Sequence, residues 1–416
     1  MSISDTQKDG PYDKPRRVLI IVENLSVPAD RRVWTEACTL MAAGYKVSTI
    51  SPNGRDRDRR LYERLNGIAV YRYPAPPLTS GVMSFLFEFA YCWLATLLLS
   101  LIVLAREGFD IIQACNPPET FWPIALLYKS LGKRFIFDHH DPSPEMYLAR
   151  FGNRGFLYKV LLWLERMTYR AADAWITVNE QLAEIVAKRN GVPATDVAVV
   201  RSGPDPDEWE AGRIDESLRR GKRWMICYLG VMNPQDGVDY LLRSADYLVH
   251  RLGYDVLFAL LGSGDALDGL KAMAHELRLE DHVYFAGWAD MDTIRRYLST
   301  ADVCVDPIPR TPYSEYGAFN KILEYMSMAR PIVAFDLIGT RWMAREAALY
   351  ATPNHVEELA ILSAELLDDE ALRKQMGEFG RKRIVSELSW THQKEIYLEV
   401  YRKVVTGVAR PARRTT

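Results

Sequence analysis

The chain has 416 residues, of which 48% are hydrophobic and 25% charged, and its net charge is −2. At about 100 to 200 residues per domain this length predicts two domains with real cores, which confines disorder to tails at Met1 to Lys14 and Ala409 to Thr416. Near-neutral charge excludes a nucleic-acid partner held by bulk electrostatics and leaves only local basic patches such as Arg55 to Arg60.

Cys38, Cys92, Cys115, Cys227 and Cys304 stand among apolar neighbours without a paired metal-type spacing, so they are expected as reduced core residues, without disulfides. The polar start of the chain offers no apolar signal stretch, and the expected location is the cytosol.

In chain order, Arg17 to Val22 is a continuous apolar run of the kind found in a doubly buried parallel strand, and Arg31 to Ala43 follows as a helix closed by Gly44. The loop between them, Glu23 to Asp30, lacks the glycine fingerprint of dinucleotide binding, which excludes an NAD dehydrogenase. Asp30 reads as a helix cap beside solvated arginines, Arg31 and Arg32. Two more strands follow at Lys46 to Ile50 and Ile68 to Tyr73. Phe89 to Ala105 is then an uncharged run of 17 residues, short of the roughly 20 that a spanning helix needs. A single crossing would also separate the strand at Asp110 to Ala114 from its partners. The segment is expected either as a helix on the sheet with an apolar outer face, suited to a bilayer interface, or as a wholly buried one.

Asn116 to Glu119 reads as a turn, Phe121 to Leu131 as a helix and Arg134 to Asp138 as a strand. His139-His-Asp-Pro-Ser-Pro-Glu145 then forms a polar cluster at a strand's carboxyl end, where open α/β sheets bind ligands. A metal site or a structural turn would use the same residues. Tyr158 to Ala171 and Glu180 to Arg189 read as helices, with strands at Ala174 to Val178 and Val197 to Val200. Arg201 to Asp207 is dense in turn residues and marks a domain boundary, and Glu208 to Lys222 reads as a polar linker.

The alternation then restarts with strands at Trp224 to Tyr228, Val256 to Leu261, Val283 to Ala286 and Val303 to Val305. Behind them come the loops Gly230 to Gly237, Gly262 to Asp265, Gly287 to Ala289 and Asp306 to Arg310, whose small residues permit close backbone approach to a phosphate or nucleoside. Thr311 to Asp336 completes a loop, helix and strand. With the helix starting near Gly317 to Asn320, its free N–H groups, its dipole and Lys321 would suit a diphosphate, and Glu324 would accept from sugar hydroxyls. An ordinary amphipathic helix with a solvated Lys and Glu fits the same pattern. Long helices end the chain at His355 to Leu367, Glu370 to Leu388 and Trp390 to Thr406.

Glu324 followed by Tyr-Met, then Arg330 and Pro331-Ile-Val, resembles the C-terminal signature of the family 4 retaining glycosyltransferases. That resemblance implies the α/β GT-B fold, two Rossmann-like parallel-sheet domains facing a central cleft. It implies an acceptor-side domain over 15–203, a nucleotide-sugar-binding domain over 204–389, and a last helix at about 390–408 returning onto the first. The donor-binding residues carried over are Arg201, Gly230, Gly262, Gly287, Arg310, Glu315, Tyr316, Gly317, Asn320 and Lys321. Asp30, Arg31, Arg32 and Glu145 fall on the acceptor side. His140 with Asp141 matches the pattern that touches the transferred sugar, with His139 as its competitor, and Glu324 completes the catalytic set. Family members usually carry a first Glu eight positions before the second, where this chain has Tyr316 preceded by Glu315. They usually carry an Arg and a Lys where it has Val231 and Asp236.

The activity implied is sugar transfer from a nucleotide-diphosphate donor, a UDP-sugar, with no cofactor and no metal, to a polyprenyl-linked or other glycan acceptor. It would take place at the inner face of the cytoplasmic membrane, in cell-surface polysaccharide assembly. A nucleotide-sugar epimerase or phosphorylase, or a silent nucleotide-binding subunit, are the other readings of the same fold.

Overall fold

The computed structural model describes residues 16–54, 58–76 and 82–407, with residues 82–86 and 150 described by backbone alone. Both tails and residues 55–57 of the basic patch lie outside the described residues. The chain divides into two compact units. One holds the chain up to Ser143, Gly155–Val200 and the chain from Lys394; the other holds Pro144–Arg154 and Arg201–Gln393.

The first unit contains strands β1 (Arg17–Ile21), β2 (Lys46–Pro52), β3 (Tyr62–Leu65), β4 (Ile68–Tyr73), β5 (Ile111–Cys115), β6 (Arg134–His139), β7 (Ala174–Thr177) and β8 (Val197–Val199). They form one sheet in the order β3-β4-β2-β1-β5-β6-β7-β8, parallel except for the β3–β4 pair. Helices α1 (Arg31–Ala42), α2 (Val82–Arg106), α3 (Trp122–Ser130), α4 (Ser143–Phe151), α5 (Phe156–Ala171) and α6 (Glu180–Asn190) lie along this stretch of chain, α4 running on into the second unit. The Asp30 side chain accepts from Val33 N at 3.1 Å and caps α1.

The two-residue period of a strand sorts β5 and β6 chemically. Ile112, Ala114, Phe135 and Phe137 join the core beneath α2, α3 and α5. Gln113, Cys115 and Asp138 alternate with them and occupy the opposite face.

The second unit contains β9 (Trp224–Leu229), β10 (Val256–Leu261), β11 (Val283–Gly287), β12 (Val303–Asp306), β13 (Ile332–Phe335) and β14 (Ala348–Ala351), all parallel, in the order β11-β10-β9-β12-β13-β14. Its helices are α7 (Val238–Asp246), α8 (Leu267–Glu276), α9 (Met291–Thr300), α10 (Asn320–Ser327), α11 (Ile338–Ala344), α12 (Val356–Asp368) and α13 (Glu370–Arg383). One face of the sheet packs Ile226, Tyr228 and Leu260 against α7 and α12, and the other packs Cys227, Leu229 and Ala259 against α9 and α10. Helix α14 (Trp390–Thr406) carries the chain back to the first unit from Lys394 onward.

Glu208 to Lys222 is not a free linker. Trp209 is buried, Gly212 N donates to Ser299 Oγ at 2.8 Å, and Arg219 grips Asp302, with Nη2 at 3.1 Å from Oδ1. Its polar residues find partners around α9, which is what allows so hydrophilic a stretch to pack.

Candidate functional site

Strand order reverses between β1 and β5 in the first sheet and between β9 and β12 in the second. Ligand crevices of open α/β sheets form at such reversals, beyond the strands' carboxyl ends. Each unit gathers a charged cluster there.

In the first unit Asp138 and His140 project to the same face as Gln113. His140 Nε2 lies 2.9 Å from Asp138 Oδ2 and 2.9 Å from Arg32 Nε, while Arg32 Nη2 donates to Asp138 Oδ1 at 3.0 Å and Nη1 to Val200 O at 2.8 Å. Arg32 is therefore a buried structural cation, not the solvated arginine of the capping alternative. Glu36 sits 3.0 Å from Arg32 Nε, and Gln113 Nε2 donates to both Glu36 (2.7 Å) and Asp138 (3.0 Å). Burial pushes the Asp138 carboxyl upward, but Arg32 and then His140 outweigh it and hold the group ionised. Burial and then the Asp138 carboxylate push the Glu36 carboxyl well above the usual range, against the pull of Arg32.

His139 belongs to the opposite face. It is fully buried, with Nδ1 3.1 Å from Tyr169 OH and Nε2 3.1 Å from Asp141 O. The carbonyl requires Nε2 to donate, so Nδ1 accepts from the tyrosine. Burial, with Arg189 nearby, depresses its pKa to about 3 and keeps the ring neutral. The His140 side chain keeps 13% of its surface exposed, and Nδ1 has no partner among the described residues. Asn116 braces the loop: its Oδ1 accepts from His140 N at 2.5 Å, and its Nδ2 donates to Glu119 Oε1 at 2.7 Å and to Asp141 O at 2.5 Å. Cys115, Asp138 and His140 also bring three ligand-type atoms within 4.8 Å of one another. The Arg32 guanidinium already neutralises Asp138 there, so a metal cation would meet a fixed positive charge.

In the second unit Lys321, near the start of α10, is 8% exposed, its Nζ 3.4 Å from both Tyr228 OH and Asp306 Oδ1 and 4.7 Å from the Tyr228 ring centre. It is not a solvated lysine. Burial opposes its charge, but Tyr228, Asp306 and Asp236 outweigh the cost and keep it cationic. Burial pushes Asp306 and Asp236 upward, against the pull of Lys321.

Gly230 stands over this cluster at φ +154°, where a Cβ would lie 3.1 Å from both Lys321 Cε and Tyr228 OH. Gly262, at φ +137°, would drive a Cβ to 1.8 Å from Gly230 O. The loops are laced together: Gly230 N donates to Leu261 O (3.0 Å) and Gly262 N to Gly287 O (2.8 Å). The arrangement offers one buried cation beside bare backbone, at the uncapped N-terminus of α10, which is the chemistry of an anion site.

Arg310 pairs with Glu315 (2.6 Å) and donates to Asp336 O (2.7 Å), so it ties its own loop to the one after β13. Tyr316 and Asn320 are exposed, Gly317 follows the short helical turn Ser314–Tyr316, and Glu324 lies half-buried in the second turn of α10. Arg201 stacks 4.4 Å above the Trp342 ring. Arg31 is exposed, and Glu145 sits in the first turn of α4, in the second unit. Gln113, Glu36, Asp138, Tyr228 and Asp306 were not selected. A polar residue inside an apolar strand run, as Gln113 is in IIQAC, was the signal that could have found the first cluster.

The profile described as "Glycosyl transferases group 1" matches residues 212–383, and that of the "Glycosyl transferase 4-like domain" matches residues 29–203. Alpha-D-kanosaminyltransferase of Streptomyces kanamyceticus is 27% identical over 352 residues, 80% of this chain and 88% of that protein. Alpha-maltose-1-phosphate synthase of Mycolicibacterium smegmatis is 30% identical over 274 residues, 59% of this chain and 67% of that protein. Among solved structures, sucrose-phosphate synthase from Thermosynechococcus elongatus superposes with a TM-score of 0.76 at 19% identity, over 94% of this chain and 100% of its own. Anabaena HepE in complex with UDP and glucose gives 0.69 at 14% identity, over 92% and 99%. Two parallel-sheet units, each matched along most of its length, and relatives that transfer sugars lead to one conclusion: the chain is a family 4 glycosyltransferase of GT-B fold.

Proposed function

We propose that the protein is a retaining glycosyltransferase that takes a hexosyl or N-acetylhexosaminyl group from a nucleotide-diphosphate donor, a UDP-sugar, and transfers it to a lipid-linked acceptor in cell-surface polysaccharide assembly. The observation that carries the donor half of this reading is Lys321, a cation kept buried next to glycine backbone that tolerates no side chain. A diphosphate leaving group develops charge as the glycosidic bond breaks, and a fixed cation at a helix N-terminus stabilises it without reorganisation. That arrangement supplies the role a metal ion plays in other transferases, so the proposed reaction is metal-independent. Complexes of HepE with UDP and with UDP-glucose support the choice of uridine.

Glu324, one turn along α10, would orient donor hydroxyls. His140 and Asp141 would serve the transferred sugar, His140 through the Nδ1 edge that its contacts with Arg32 and Asp138 leave open. Retention would require the acceptor to attack the anomeric carbon from the face that the diphosphate leaves, its proton passing to the departing diphosphate, and the acceptor would be met at the cytoplasmic membrane surface.

Calorimetric titration with UDP tests the donor half. Lys321→Ala is expected to weaken UDP roughly 10- to 100-fold, the worth of a charge-assisted hydrogen bond, and unchanged affinity would refute the assignment. Proton NMR of the first product formed reads the anomeric configuration, and an inverted product would refute retention.

A further inference from the structure

Helix α2 is amphipathic in the opposite sense to a soluble helix. Its inward face carries Cys92, Thr96, Ser100 and Val103, all buried, with Ser100 Oγ 2.7 Å from Tyr128 OH. The outward face carries Leu94, Leu98, Leu101 and Ile102, each at least 40% exposed. By length and composition Phe87–Arg106 could cross a membrane. However, it joins β4 to β5 within one sheet, and a single crossing would put those strands on opposite sides of the bilayer.

The apolar surface continues sideways. Trp93 Nε1 donates to Thr120 O at the foot of α3, α3 exposes Leu126 and Leu127, and Trp122 of α3 meets Trp163 of α5 edge-on at 5.9 Å. Along α5 the exposed stripe reads Phe156, Lys159, Trp163, Arg166, Arg170, and Phe156 is 79% exposed. None of those three cations pairs with a carboxylate among the described residues. The acid of α5, Glu165, is buried against Arg189, and α3 has none.

We propose that the outer faces of α2, α3 and α5 form one docking surface for an anionic bilayer, the leucines of α2 and α3 entering the headgroup boundary and the stripe of α5 meeting acidic lipid. Trp and Phe alternating with Lys and Arg suit that boundary, where ring and cation each find their own depth. A second copy of the chain is the poorer occupant, because a two-fold contact would set the cationic stripe against a surface with no exposed acid to receive it. The proposal deepens, and rests on, the reading that the acceptor is met at a membrane.

Cosedimentation of the full chain with phosphatidylcholine vesicles, with and without phosphatidylglycerol, tests it. Binding is expected to need phosphatidylglycerol and to survive excess free glycerol phosphate, which separates a lipid surface from a soluble phosphate site. The triple variant Lys159→Glu, Arg166→Glu, Arg170→Glu is expected to bind about a hundredfold more weakly or worse. Leu94→Asn with Leu98→Asn should weaken binding while keeping the lipid preference. All five positions are exposed, and circular dichroism checks the fold. Equal binding to both vesicles, no binding, or a triple variant that binds like the parent overturns the proposal. So does a concentration-dependent dimer in sedimentation velocity that the leucine variant dissolves. UDP titration of the parent and of the variants keeps the two readings apart: a parent that binds UDP but no vesicle sinks the docking surface alone, vesicle binding without any UDP affinity sinks the donor reading alone, and variants that lose vesicle binding while keeping the parent's UDP affinity are the expected result.

Discussion

Asp236 occupies the place where the family resemblance leads one to expect a lysine, and its carboxylate acts on Lys321 from the loop that ends in Gly237. Burial raises its pKa, and its Oδ2 accepts from Asn233 N at 3.0 Å, so it holds the loop while opposing an anionic ligand. Asp236→Asn keeps the acceptor and removes the charge. UDP should bind roughly 3- to 10-fold more tightly to this variant in calorimetry, a change of about 1 kcal/mol as for a screened charge pair; equal or weaker binding would mean that Asp236 is neutral in the native protein. Glu119 gives a pH signature. It is buried, accepts from Asn116 and Ser143, and burial raises its pKa from 4.5 to about 7. The folded state therefore holds this proton more tightly than the unfolded chain. Its contribution to stability is complete below pH 4.5 and is lost as pH rises to about 7. Thermal melts across that window should show Glu119→Gln gaining on the parent by up to about 1.4 kcal/mol per pH unit, and parallel curves would show that the carboxyl is already ionised.

Elements with an uninterrupted apolar run or a capped apolar face were legible in the sequence: β1, β2, β5, β6, β9 and β10 among the strands, α1 and α6 among the helices. The misses have physical causes. Strand β3 reads YERL, an antiparallel edge with alternating half-exposed side chains, and its pairing partner rather than its composition makes it a strand. Helix α8 carries Gly269 in its interior, which lowers the helical signal. The packed segment at 208–222 owes its order to residues some 80 positions away, such as Ser299 and Asp302, which no local pattern reveals. The second cluster was partly legible, because Lys321 and the glycine loops follow strand ends. The first was less so, because Arg32, Gln113 and Asp138 meet only through the strand order. Helix α14 shows the same limit: its spacing of Tyr397 and Tyr401 predicted an amphipathic helix, whereas both hydroxyls donate to the buried Gln113 Oε1. Either tyrosine alone satisfies that oxygen. Tyr397→Phe and Tyr401→Phe are each expected to cost little, and the double variant to lose about 1 to 3 kcal/mol more than their sum in urea denaturation, the penalty for a buried unsatisfied acceptor. Additive losses would show that water replaces the hydroxyls.

At the scale of the whole molecule, two sheets of the same kind have been given different chemistry. Each reverses its strand order beside the strand that opens it, β1 or β9, and each gathers charge at that point, yet the clusters are not equivalent. In the first, Arg32 is consumed by Asp138, Val200 and His140, so its cation is committed before any ligand arrives. In the second, Lys321 lies 3.4 Å from both Tyr228 OH and Asp306, and glycine backbone covers it. The second cluster, unlike the first, sets its cation against bare glycine backbone at an uncapped helix start, the arrangement that suits a diphosphate. Nucleotide binding should therefore divide the chain unequally in hydrogen exchange. UDP at about 100 times its dissociation constant stabilises the bound form by about 2.7 kcal/mol, enough to slow exchange about 100-fold wherever opening requires release of the ligand. That slowing is expected in Gly230–Gly237, Gly262–Asp265, Gly287–Ala289 and the first turn of α10. The β3–β4 hairpin and α2 should exchange as in the free protein. If the strongest protection instead fell on the loop after β1 or on His139–Glu145, the nucleotide would belong to the first unit, and the committed state of Arg32 would have to be broken for it to bind.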